Sequence, residues 1–168
     1  AAFSKTVTGK NCVVSWASAR DYDAAHADAN GDGTYELTIA FTDGTNNLGA
    51  QSTDVTVTDV NDQTPTYTAT STTPTVTEGA TAVDTNVAIT DTDTGDSNTC
   101  TKGGADADLF TCTVTATAYS VAFTSSPNYD SGTACAAGNS CTVTIKINDG
   151  AQDGATITYT IAIADAND

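Results

Sequence analysis

The chain repeats itself, and no other property of its sequence limits the fold as tightly. Phe3 and Phe110, Val7 and Val114, Trp16 and Phe123, and Tyr22-Asp23 and Tyr129-Asp130 each lie 107 residues apart. Further along, Asp43-Gly44 matches Asp149-Gly150, and Asp59-Val60-Asn61-Asp62 matches Asp165-Ala166-Asn167-Asp168, both at a spacing of 106. One residue is lost between Asp23 and Asp43. Agreement at so many positions is the signature of a duplicated unit.

The register of the repeat sets the expected domains. Residues 63–107 have no counterpart before residue 1. A complete repeat is expected over 63–168, and only the C-terminal part of one over 1–62. Counted as seven strands, the first repeat lacks about its first three. A half sandwich has open strand edges and an uncovered apolar face. Strands from another chain, or sequence upstream of residue 1, are expected to complete it.

The segments between the repeated motifs read as strands. TYELTIAFT over 34–42 and CTVTIKI over 141–147 alternate with period two, as do 52–58 and 155–163. Thr and Val, both β-branched, dominate them. Gly, Asn and Asp clusters separate them and supply turn chemistry. No segment has a convincing helical period. The expectation is an all-β chain of Greek-key β-sandwich repeats.

Charge narrows the partners. Of 168 residues, 21 are Asp or Glu and 5 are Lys or Arg, a formal charge of −16. Nucleic acid is excluded, because its phosphates need Lys and Arg. Anionic membrane surfaces repel such a chain, and no apolar run is long enough to insert as a helix. Hard divalent cations suit it, since they take carboxylate and carbonyl oxygens. Acidity can also serve solubility alone, but here the carboxylates cluster in short motifs.

Five cysteines stand at 12, 100, 112, 135 and 141. Cys100 with Cys112, and Cys135 with Cys141, are the natural short-range pairs, each closing a small loop and placed in a loop of the sandwich. That usage fits an oxidising, extracellular compartment. Cys12 is left over, either as a buried thiol or as one end of a bridge between chains. The opening Ala1-Ala2-Phe3 is compatible with an end left by a signal peptidase.

Asp59-Val60-Asn61-Asp62-Gln63-Thr64-Pro65 is the most specific run in the chain. It resembles the DxNDxxP linker of cadherins. Around it, in cadherin order, come Glu78 in TVTEGA, Asp91-Thr92-Asp93 with Asn98 beyond, Asp108-Leu109-Phe110, Tyr129-Asp130 and Asp149-Gly150. The resemblance covers nearly the whole chain and implies cadherin-like, calcium-dependent extracellular repeats. It departs from the pattern in Asp130, where a glutamate is usual, and in Gln63, where an asparagine is.

The residues support calcium on their own terms. Calcium takes about six to eight oxygens, several from carboxylates. Alternation along an extended linker sends Asp59 and Asn61 to one side and Asp62 to the other. Asp91, Asp93, Asn98 and Asp149 are expected from loops at the near end of the second repeat, and Asp23 from the first. Glu78, Asp130, Asp165, Asn167 and Asp168 form half a site at its far end. Asp43, the counterpart of Asp149, is its equivalent on the first repeat. A separate D-x-N-x-D-G run places Asp28, Asn30 and Asp32 at positions 1, 3 and 5 of a tight loop. Ile39 stands where that loop's closing acid belongs, with Glu36 as a nearer substitute. The same run also reads as an Asn-Gly hairpin turn.

No catalytic constellation emerges. His26 is the only histidine and Arg20 the only arginine, and the serines lack a nucleophile motif. The chain is expected not to be an enzyme. Thr64–Thr81 is rich in Thr with two prolines, a composition typical of O-glycosylated stretches and equally of exposed strands. The functional expectation is a structural subunit of an extracellular filament or surface fibre. Copies would associate head to tail through inter-repeat calcium and shared strands. The alternatives are a piece of a long calcium-dependent adhesin and, less favoured, a glycan-binding module.

Overall fold

The computed structural model describes residues 2–24 and 33–167. His26 and the expected ligands Asp28, Asn30, Asp32 and Asp168 lie outside those residues. The chain divides into two compact units, Ala1–Val60 and Asn61–Asp168.

The first unit consists of two antiparallel ribbons. β1 (Phe3–Thr8) pairs with β2 (Asn11–Trp16), and β3 (Thr34–Thr42) pairs with β4 (Asn47–Thr56). Phe3 stacks on Trp16 with ring centroids 4.4 Å apart, and Tyr35 meets Trp16 edge-on at 4.9 Å. Arg20 lies over the Trp16 and Tyr35 rings. Tyr35 is the one large apolar side chain buried among the described residues of this unit.

The second unit is a closed sandwich. Its strands are β5 (Thr66–Tyr67), β6 (Thr75–Thr77), β7 (Ala82–Thr90), β8 (Thr99–Gly103), β9 (Phe110–Val114), β10 (Ala118–Phe123), β11 (Ser140–Asn148) and β12 (Ile157–Ala164). One sheet has the order β5-β7-β10-β9 and the other β6-β12-β11-β8. Every pairing is antiparallel except β6 with β12. Alternation decides what is inside: Cys141, Val143, Ile145 and Ile147 on β11 are all fully buried, while the threonines and Lys146 between them are not. Tyr119, Val121 and Phe123 face them from β10, with Phe110 and Tyr159.

The two units share their register. Phe3 pairs with Trp16 as Phe110 pairs with Phe123, and Tyr35 pairs with Val55 as Cys141 pairs with Ile161. Thus β1–β4 correspond to β9–β12, and β5–β8 have no counterpart in the first unit. One strand differs from its sequence reading: β4 begins at Asn47, not 52. Its first residues have no apolar alternation to reveal it, because all of Asn47–Gln51 are exposed.

Both expected disulfides are present, Cys100–Cys112 and Cys135–Cys141, with Cα atoms 6.2 and 5.0 Å apart. Their setting differs from the expected loops. Cys100 is on β8, Cys112 on β9 and Cys141 on β11, so the first bridge joins one sheet to the other. Cys12 is a free thiol, half-buried on β2.

Candidate metal centre

At one end of the second unit three segments meet: Asn61-Asp62-Gln63, the turn 91–98 between β7 and β8, and the turn 149–153 between β11 and β12. Thr90 ends β7 on an alternating apolar pattern, so the Asp-rich stretch that follows leaves the sheet as a turn. Hydrogen bonds then lock the pieces together. Asn61 Nδ2 donates to Asp96 Oδ1 at 2.9 Å and to the Asp149 carbonyl at 3.3 Å. The Gln63 amide donates to Asp93 Oδ2 at 2.7 Å. The Ser97 amide donates to the Asp149 carbonyl at 3.2 Å.

These bonds use only part of each side chain. Asp149 is 1% exposed; its Oδ1 accepts the Ala151 and Gln152 amides, and its Oδ2 is buried with no donor. Asp93 is 8% exposed, with Oδ1 likewise unpartnered. Asp91 takes the Asp93 amide on Oδ1 and leaves Oδ2 buried and bare. Asn98 anchors the Ala116 carbonyl through Nδ2, leaving Oδ1 without a donor. Asn61 Oδ1 is in the same state. Asp62 is exposed, and one of its carboxylate oxygens lies within 4.8 Å of one from Asp93. A buried oxygen with no donor costs about 1–3 kcal/mol. Five on the residues expected to bind a cation amount to a demand for positive charge.

The far end of the second unit gathers a second set. Glu78 accepts the Tyr129 amide on Oε2 at 2.7 Å and the Ala166 amide on Oε1 at 2.9 Å. Asp130 and Asp165 are exposed nearby in sequence, and Asp165 accepts the Asn167 amide. In the first unit Asp43 is exposed and uses both oxygens in its own turn. Oδ1 accepts the Thr45 and Asn46 amides and Oδ2 the Asn46 side chain. Those donors hold its carboxyl down at about 2. Asp23 and Asp59 are half-buried. Glu36 is exposed on β3 directly opposite Asp54 on β4.

Three residues escaped the sequence reading. Asp96 receives the Asn61 amide; its signal was the third acid of Asp91-Thr92-Asp93-Thr94-Gly95-Asp96. Asn139 reaches the Tyr129 carbonyl through Nδ2 and leaves Oδ1 buried and unpartnered; a lone Asn carries no signal. Asp106 is buried and accepts the Ala136 and Thr142 amides, both at 2.7 Å, clasping the loop closed by Cys135–Cys141.

No protein-family model matches the chain, and no curated protein sequence does. Solved structures do. The protocadherin gammaB4 extracellular domain aligns over 99% of this chain with a TM-score of 0.70 and 17% identity. Protocadherin gammaB7, solved as a cis-dimer of domains EC3-6, aligns over 99% at 0.67 and 18%. The chain has the fold of cadherin extracellular domains. Human protocadherin-24 EC1-2 aligns over 96% at 0.66 and 20%. The chain spans 40% of the gammaB7 structure, 26% of the gammaB4 structure and 76% of the protocadherin-24 structure. At such identities the likeness is one of fold, and the sheet orders above are its content.

Proposed function

We propose that the chain is a non-enzymatic structural module of an extracellular cadherin-like protein, stiffened by calcium. The carrying observation is the set of five buried, unpartnered oxygens on Asn61, Asp91, Asp93, Asn98 and Asp149. Bound there, Ca2+ supplies charge that neutralises the carboxylates and fixes the turns that carry them. Asp62 adds an exposed carboxylate, and the cadherin-like linker motif adds Asp59 and, from the first repeat, Asp23. Asp93 and Asp149 do the positioning: each spends one oxygen on backbone amides, which holds the other in place.

Residues 1–62 are read as the C-terminal part of a repeat and 63–168 as a complete one. An extracellular setting is supported by the two disulfides. The exposed Thr-rich stretch 64–81 offers sites for O-linked glycans. We further propose head-to-tail association into a fibre, in which neighbours share calcium at repeat ends and strands at open edges. The acids at the far end, Glu78, Asp130 and Asp165, favour it over a free-standing module. A piece of a long adhesin is the second reading, favoured by the match to only part of each protocadherin structure.

The test is a pair of thermal melts, in chelator and in millimolar calcium, since extracellular modules bind at about 10⁻⁴–10⁻³ M. A ligand of the folded state alone raises its stability by mass action. The melt should rise with calcium in the native chain and much less in Asp93→Asn/Asp149→Asn. Superimposable melts of the native chain would end the calcium reading.

A further inference from the structure

The first unit contains an open cleft of about 600 Å³ between its two ribbons. Phe3, Val7, Val14, Leu37, Ile39 and Phe41 line it, with Cys12 on the same wall. Val7 is 64% exposed and Phe41 41%. Their counterparts in the second unit have a different fate. Phe110, Ile145 and Ile147 are fully buried, and Val76, Val87 and Ile89 from β6 and β7 join them in one core.

The shared register says which backbone the cleft offers. β7 adds to β10 at Ala118–Ala122, which corresponds to Asn11–Ser15 on β2. β8 adds to β11 at Thr144–Asn148, corresponding to Thr38–Thr42 on β3. β6 runs parallel to β12 at Ala162–Ala164, corresponding to Thr56–Thr58 at the end of β4. All three edges lack a strand neighbour among the described residues.

We infer that this cleft is the docking site for a strand-forming polypeptide of the β5–β8 type, and that a second copy of this chain does not supply it. Counting excludes the copy. Each copy holds two β9–β12 halves but one β5–β8 half, so exchange among copies always leaves a cleft empty. That one half is also committed: β6 and β7 are in their own core, and Cys100–Cys112 fastens β8 to its own β9. Charge fits an occupant of this type. Lys5 and Lys10, two of the chain's five basic residues, line the cleft. The β5–β8 half carries Glu78, Asp84, Asp91, Asp93, Asp96 and Asp106 against one Lys102. Added strands satisfy open edges by main-chain bonds, and alternate side chains fill the cleft.

The inference rests on the half-repeat reading of residues 1–62, and a two-armed experiment separates them. Cys12 is the free thiol, and its counterpart Tyr119 is 1% exposed, so docking should bury it. In one arm, a second 63–107 is fused ahead of residue 1, where the repeat would place it. That added segment carries Cys100→Ser, because Lys5 stands at the partner's position. Maleimide labelling of Cys12 should slow about tenfold or more, since a buried thiol reacts only through opening. In the other arm, labelling of the unfused chain is followed as its concentration rises, and should not change. A fusion that labels as fast as the native chain overturns the inference and the half-repeat reading together. A fusion that protects Cys12, with the unfused chain also protected at high concentration, keeps the half repeat and overturns the choice of occupant.

Discussion

Asp84 is buried in the sandwich core, 6% exposed, with no cation beside it among the described residues. Its Oδ2 accepts the Thr70 amide and the Tyr159 hydroxyl, both at 3.0 Å, and Tyr159 in turn meets the Tyr119 hydroxyl at 2.9 Å. The chain of bonds crosses from one sheet to the other. Tyr159→Phe removes its centre and leaves a buried Tyr119 hydroxyl and a carboxylate oxygen short of a donor. The expected loss is about 1–3 kcal/mol, read from denaturant melts of the two proteins; unchanged midpoints would show the network to be idle. The same phenols set an alkaline limit. Burial is the largest cause raising Tyr159, Tyr119 and Tyr67 above their usual value. A group raised on folding gives stability that is complete below its unfolded pKa, about 10 for tyrosine, and lost above it. Melting temperature should therefore hold from pH 7 to 9 and fall above about 10, less steeply in Tyr159→Phe. Sequence could not separate such residues from ligands. Asp106 and Asp108 stand two apart in the same run, yet one is buried on backbone amides and the other is exposed.

At the scale of elements, what was legible followed burial. β3 and β11 were visible because one face of each alternates, and in both units the register confirms the match of Tyr35 with Cys141. β4 was read short because its first half faces solvent on both sides. The turns at 91–98 and 149–153 were legible because Asp and Asn favour turns as well as cations. Asp96 and Asn139 were not, since each acts through a contact distant in sequence. Gly154 was also silent: a Cβ there would stand 2.7 Å from the Pro65 carbonyl and 2.5 Å from the Tyr67 ring, so no other residue fits beside β5. The Cys100–Cys112 bridge was legible as a pair but not as a link between sheets. It closes a short loop, and the chain-entropy model gives about 3 kcal/mol for a loop of that length. Cys100→Ala/Cys112→Ala should lower the unfolding free energy by up to that amount while circular dichroism of the folded state is kept. A loss near zero would mean that β8 and β9 are held by packing alone.

Across the whole molecule, the two units differ in what secures them. The second has a core of fifteen buried residues fed by both sheets, and its β11 lies between two strand neighbours. The first has ribbons of two strands each, which are marginal by themselves in water, and its apolar side chains apart from Tyr35 are partly or largely exposed. Opening free energies follow buried contacts and protected hydrogen bonds. Amides of β11 and β12 should thus exchange only with global unfolding of the second unit. Those of β1–β4 should exchange through low-energy local opening, faster by orders of magnitude. Calcium should slow exchange in the turns 91–98 and 149–153, where the bare oxygens lie. Filling the cleft should slow it in β2 and β3, at the edges that β7 and β8 cover in the second unit. The two effects fall on different segments, so one exchange map read with and without each additive tells cation binding from strand addition. Uniform protection across β1–β12 in the chain alone would show that the ribbons of the first unit need no further strands.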